Sequence, residues 1–204
     1  ITVVTYQVTD GFGNTATCSF EVEVLDTDLP EITCPEDILI SSDLGVCGAM
    51  VNYDLPVTTD NCDVASLTLV DGLHDGEVFP VGTTVVTYEV IDIHGNVDMC
   101  SFTVTVEDAE APTVVTCPTN IEVTNDLDAC GAVVEYMLPE ATDNCEVIDV
   151  SLIAGLESGQ QFPEGTTTVT YQFTDAAGNM SLCTFDVTVL DSQAPAITCV
   201  DDIT

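Results

Sequence analysis

One block of sequence recurs about every 83 residues, and a chain built that way must fold as tandem copies of one module rather than around one large core. The stretch Thr5-Tyr6-Gln7-Val8-Thr9-Asp10, closed by Gly13-Asn14, returns as Thr87-Tyr88-Glu89-Val90-Ile91-Asp92 with Gly95-Asn96. It returns again as Thr170-Tyr171-Gln172-Phe173-Thr174-Asp175 with Gly178-Asn179. Ile32-Thr33-Cys34-Pro35 likewise recurs at Val115-Thr116-Cys117-Pro118 and at Ile197-Thr198-Cys199. This order delimits two complete modules, residues 29–110 and 111–193. Residues 1–28 read as the C-terminal part of a preceding repeat and 194–204 as the start of a following one, so a longer array is expected.

Within a module the apolar period is two. Val86, Tyr88 and Val90 alternate with Thr87 and Glu89, and Cys100, Phe102, Val104 and Val106 alternate with Ser101, Thr103 and Thr105, which predicts strands with one buried and one wet face. No helical stripe competes. Short strands separated by Gly, Pro, Asn and Asp predict an all-β fold of tandem immunoglobulin-like antiparallel β-sandwiches, with six or seven strands per module. The joints 25–30, 106–112 and 190–195 each run from a strand into a proline. Proline fixes its own φ and holds the preceding residue extended, so the array is expected to be an elongated, semi-stiff rod.

The chain has no Lys or Arg and 36 Asp and Glu. Nucleic-acid binding, which rests on basic side chains neutralising phosphates, is excluded. Membrane insertion is not expected, since no apolar run approaches the length of a spanning helix. Catalysis has no foothold either: His74 and His94 fall in loops at positions the repeat does not keep, and no nucleophile motif accompanies them, so no enzyme is expected.

Ten cysteines divide as four per module, with Cys18 and Cys199 left to pair outside the chain. Cysteine at this density in small modules predicts disulfides and an extracellular or cell-surface location. Zinc-site spacing is absent. Four cysteines allow three pairings, and spacing does not choose among them. An immunoglobulin-like sandwich whose first and last strands lie parallel favours Cys34 with Cys100, leaving Cys47 with Cys62. The second module then pairs Cys117 with Cys183 and Cys130 with Cys145.

The order Cys34-Pro35, Thr59-Asp60-Asn61-Cys62, Phe79-Pro80-Val81-Gly82-Thr83-Thr84, Gly95-Asn96 and Cys100-Ser101-Phe102-Thr103-Val104 resembles the hyalin repeat. It returns in the second module as Cys117-Pro118, Thr142-Asp143-Asn144-Cys145, Phe162-Pro163-Glu164-Gly165-Thr166-Thr167 and Gly178-Asn179. The resemblance covers essentially the whole chain. It implies immunoglobulin-like extracellular modules associated with adhesion, in animal matrix proteins and in very large surface proteins of Bacteroidota, including gliding-motility adhesins. In the animal repeats the outer cysteine pair is usual, which supports the pairing favoured above; the four-cysteine form resembles the bacterial branch.

The acidic charge has two readings. Spread over outward strand positions such as Glu21, Glu23, Glu89 and Asp186, it forms a solvated, self-repelling coat. The rival is calcium, which takes six to eight oxygens. One end of the sandwich is expected to collect Asp60 and Asn61 from one loop, Asp92 and Asn96 from another, and Asp26 and Asp28 from the joint. Against it, Asp28 becomes Glu110 and then Gln193, and Asp92 with Asn96 fits a plain hairpin turn. The coat is the favoured reading. The expected function is a stalk or filament segment of a large secreted adhesin that requires no cofactor, with neighbouring repeats and other copies in a bundle as partners. The alternative is adhesive modules that bind calcium or surface glycans through their loops.

Overall fold

The computed structural model describes residues 1–199 and is all β, with no helix among them. Most of the expected following repeat, from residue 200 onward, lies outside the described residues. By contacts the chain forms two compact units. One is Ile1–Asp37, Asn52–Glu77 and Thr84–Val104; the other is Ile38–Val51, Val78–Thr83 and the described residues from Thr105 onward.

The strand order opens with β1 (Thr2–Thr9) and β2 (Thr15–Val22), an antiparallel hairpin, ahead of the first full repeat. β3 (Glu31–Thr33) and β4 (Ile38–Ser41) follow, then β5 (Gly48–Met50), β6 (Val57–Thr59), β7 (Val64–Asp71), β8 (Val78–Pro80), β9 (Gly82–Asp92) and β10 (Val97–Glu107). These form a four-stranded sheet in the order β4-β10-β9-β7 and two short antiparallel pairs, β3 with β6 and β5 with β8.

The second repeat copies this plan with β11 (Thr113–Thr116), β12 (Ile121–Thr124), β13 (Gly131–Val134), β14 (Glu140–Thr142), β15 (Val147–Ala154), β16 (Gln160–Pro163), β17 (Gly165–Asp175) and β18 (Met180–Leu190). Its sheet order is β12-β18-β17-β15, faced by the pairs β11–β14 and β13–β16. Each repeat thus has eight strands, against the six or seven expected, because several pairing segments are only three or four residues long.

The opening segment of each repeat is divided between the two sheets, as β3 and β4 in the first and β11 and β12 in the second. Pro35 and Pro118 stand at the break: a residue without an N–H cannot carry a ladder forward, so the chain leaves one sheet and joins the other. The segment parallel to the last strand is β12, which pairs with β18 from Ile121 against Val187 to Thr124 against Leu190.

Burial follows the period-two pattern. Val169, Tyr171 and Phe173 of β17 and Phe185, Val187 and Val189 of β18 point inward and are joined by Ala132, Val134 and Phe162. Burying each of the valines and phenylalanines contributes roughly 1.5–3 kcal/mol. Two tyrosines extend the design. Tyr136 lies edge-on to Phe185 with centroids 5.0 Å apart, and its hydroxyl donates to the Leu156 carbonyl and meets that of Tyr171. Tyr53 does the same with Phe102, Leu73 and Tyr88. Burial first, and then the neighbouring tyrosine hydroxyl, pushes both phenols above their ordinary range, so the hydroxyls stay protonated in the core.

Candidate functional site at the repeat joints

The inward face of β9 and β17 ends on an aspartate. Asp92 is 2% exposed and Asp175 fully buried, in phase with the apolar residues before them. Each is held by its own hairpin. Asp92 Oδ1 accepts the His94 and Asn96 amides at 2.8 Å, and Oδ2 accepts the Asn96 side-chain amide at 2.7 Å. Asn179 repeats both of its bonds to Asp175 at 2.8 Å. Burial alone raises these carboxyls, but the Asn side-chain and backbone hydrogen bonds outweigh it and leave both below the ordinary carboxylate range. Asn179 also donates to the Asp108 and Glu110 carbonyls at 3.2 and 3.1 Å, tying the hairpin to the joint.

Around this anchor each compact unit builds a copy of one site. In the first, Asp26, Asp60 and Asp92 bring one carboxylate oxygen each within 4.8 Å of the others. The remaining residues of the expected calcium set serve differently. Asn61 donates its amide to Asp26 and Asp28, and the Asn96 amide goes to Asp92 and the Asp26 carbonyl. Asp28 is therefore an acceptor for Asn61 and no member of the oxygen cluster. Cys62 and His94 flank Asp26, with His94 Nδ1 3.2 Å from Asp26 Oδ2. The Asp26 carboxylate beside it, then burial, pushes the Cys62 thiol up to about 11, and the same contact holds Asp26 below its ordinary value.

The second copy consists of residues outside the expected calcium set, although Asp143 and Asn144 stand in the repeated Thr-Asp-Asn-Cys motif. Asp108, 9% exposed, accepts from Ser42 Oγ, the Glu110 amide and the Asn144 side-chain amide through a single oxygen, Oδ1. Its other oxygen is buried and accepts nothing, as are Asp143 Oδ1 and Asn144 Oδ1, and Asp60 Oδ1 in the first copy. The signal was present in the spacing: Asp26, Asp108 and Asp191 fall 82 and 83 residues apart.

The same joint holds a turn. The Ser42 amide donates to the Glu107 carbonyl, the Gly45 amide to the Glu110 carboxylate at 2.8 Å, and the Val46 carbonyl accepts from Asn144 at 3.2 Å. One repeat later, Asp128 at a left-handed φ of 59° replaces Gly45 at 73°, and its amide donates to Gln193. The joint position that changes from Asp28 to Glu110 to Gln193 thus keeps an acceptor oxygen rather than a charge.

This arrangement overturns part of the expected disulfide pattern. Cys34 joins Cys100 and Cys117 joins Cys183, with Cα separations of 5.7 and 5.6 Å. Cys47 does not join Cys62, and Cys130 does not join Cys145. The structure instead bonds Cys47 to Cys145, 98 residues away, with Cα atoms 4.7 Å apart. The turn carrying Cys47 is bonded to the joint that follows its repeat, whereas the loop carrying Cys62 is bonded to the joint that precedes it. Cys18, Cys62, Cys130 and Cys199 are free and exposed.

The HYR domain model matches residues 25–106 and 107–189. The chain belongs to the HYR domain family. It is 40% identical to hyalin of Strongylocentrotus purpuratus over 98% of this chain and 17% of that protein, and 35% identical to hyalin of Lytechinus variegatus over 99% and 39%. It is 28% identical over 82% of its length to the sushi, von Willebrand factor type A, EGF and pentraxin domain-containing protein 1 of Rattus norvegicus, covering 5% of it. The chain therefore spans well under half of these relatives. Among solved structures, the protocadherin gammaB4 extracellular domain aligns with 93% of this chain and 38% of that one at 16% identity and a TM-score of 0.38. The HYR chain is extracellular or cell-surface, in keeping with the three disulfides among its described residues.

Proposed function

We propose that this chain is a structural stalk segment of a large secreted adhesive protein, with no catalytic role. The observation that carries the reading is the Cys47–Cys145 bond, which places consecutive HYR repeats under one covalent constraint. A bond across a joint resists separation of neighbours under load and contributes nothing to a cycle of substrate entry and release. Neighbouring repeats are then its principal partners, and the acidic surface keeps separate copies apart. Screening the purified chain against immobilised surface glycans tests this: a stalk segment is not retained, and specific retention replaces the stalk with a ligand-binding module.

A second reading adds calcium at the joints. Its support is the set of buried acceptors left without donors at equivalent positions of both copies, Asp60 and Asp143 above all. A buried carboxylate oxygen without a partner is costly, and a hard divalent cation is the ligand that removes the cost. Asp26, Asp60 and Asp92 hold the ion in the first copy and Asp108, Asp143 and the Asn144 carbonyl in the second. Melting the chain with calcium and with chelator decides: calcium raises Tm, and an unchanged Tm removes calcium from the account.

A further inference from the structure

The completed joint has two halves. One is the turn 42–47, presenting the Gly45 amide, the Val46 carbonyl and the Cys47 sulfur. The other is the receiving surface made by Asp108, Glu110, Asn144 and Cys145. Among the described residues each half occurs once more, alone.

The receiving half reappears in the first unit. Asp26, Asp28, Asn61 and Cys62 occupy the positions of Asp108, Glu110, Asn144 and Cys145 and line a cleft of about 400 Å³. Asn61 and Cys62 are exposed there, whereas Asn144 and Cys145 are half-buried. The presenting half reappears in the second unit, where the turn with Asp128, Ala129 and Cys130 borders a cleft of about 500 Å³ with Asp191 and Gln193. Its internal hydrogen bonds match those of the first turn: Asp126 accepts from Val133 as Asp43 does from Met50.

We propose that Cys62 and Cys130 are the two unpaired halves of the bond completed at Cys47–Cys145, and that every repeat in the array is stapled to the next by such a disulfide. Cys62 takes the cysteine at the Cys47 position of a preceding HYR repeat, and Cys130 takes the cysteine at the Cys145 position of a following one. The occupant of each cleft is thus another HYR repeat. Two thiols lose two protons and two electrons to an exchanging disulfide, whose sulfurs leave as two thiols. The outer pairs Cys34–Cys100 and Cys117–Cys183 stay within their repeats. The inner cysteines, which would otherwise be exposed thiols, form a continuous series of crosslinks through the joints.

The test is a disulfide map of the full-length protein, alkylated without reduction and cleaved at Asp and Glu. The proposal predicts a peptide containing Cys62 bonded to one from the preceding repeat, and a peptide containing Cys130 bonded to one from the following repeat. Recovery of either cysteine as an alkylated thiol, or of Cys62 bonded to Cys47, overturns it. A Cys62→Ser version of the full-length protein gives a second readout: the new thiol appears in the preceding repeat, whereas pairing within the repeat exposes Cys47 instead.

Discussion

The Asn144 side-chain amide donates to Asp108 Oδ1 at 3.1 Å, so a loop of the second repeat is hydrogen-bonded to the carboxylate at the centre of the joint. Because the same amide reaches the Val46 carbonyl at 3.2 Å, one side chain also positions the turn that carries Cys47.

Replacing that amide is therefore expected to loosen the staple as well as the fold. Asn144→Ala loses a hydrogen bond to a charged group and is expected to cost roughly 1.5–3 kcal/mol in urea denaturation. In a glutathione titration, Cys47–Cys145 is expected to open at lower reductant in this variant while Cys34–Cys100 is unchanged. Equal effects on both bonds contradict the positioning role.

Gly48, beside Cys47, is required by close backbone approach. A Cβ there meets the Phe79 carbonyl oxygen at 2.5 Å, and Gly131 meets the Phe162 carbonyl in the same way. Gly48→Ala must push β5 away from β8 and is expected to destabilise by about 1–3 kcal/mol. Gly11→Ala, with nothing within 4 Å, is expected to change stability by less than about 0.5 kcal/mol. Chemical denaturation of the two variants checks the contrast.

The buried aspartates set the acid limit. Asp92 and Asp175 titrate below their unfolded value of about 3.9, so the stability they contribute is fully present above about pH 4. It is lost as the pH falls through the lower folded values and both carboxyls are protonated. Tm is expected to fall as the pH drops below about 4, and Asp175→Asn is expected to flatten that drop while lowering Tm at pH 7. An acid-induced loss of Tm that is the same in wild type and Asp175→Asn contradicts the role of these hairpins.

Much of the fold was legible because it is local. The 82- and 83-residue spacing is matched by the strand plan that β3–β10 and β11–β18 share, period two marked the buried face of β9, β10, β17 and β18, and Gly95-Asn96 marked a hairpin. Calling Asp92 and Asn96 a hairpin turn captured their hydrogen bonding, yet the alternation that places Asp92 in line with Val90 already showed it facing inward. Which turn meets which joint was not legible. Cys47 was assigned to Cys62 only because Cys34 with Cys100 left those two within the repeat. Their partners are decided by Glu110, Asn144 and Asp28, whose hydrogen bonds run across as many as 98 residues. The change from Asp to Glu to Gln at the joint looked like loss of a ligand because charge was compared rather than acceptor geometry.

The measurement that bears most directly on the account is a disulfide map of this 204-residue chain itself. With no Lys or Arg, trypsin offers no cleavage, but Asp54, Asp60, Glu135 and Asp143 let acid-specific proteases separate all four inner cysteines. The account predicts one crosslinked species joining the peptides of Cys47 and Cys145, with Cys62 and Cys130 recovered as thiols. Recovery of Cys47 with Cys62 and of Cys130 with Cys145 would show that the repeats are closed on themselves, and would contradict it.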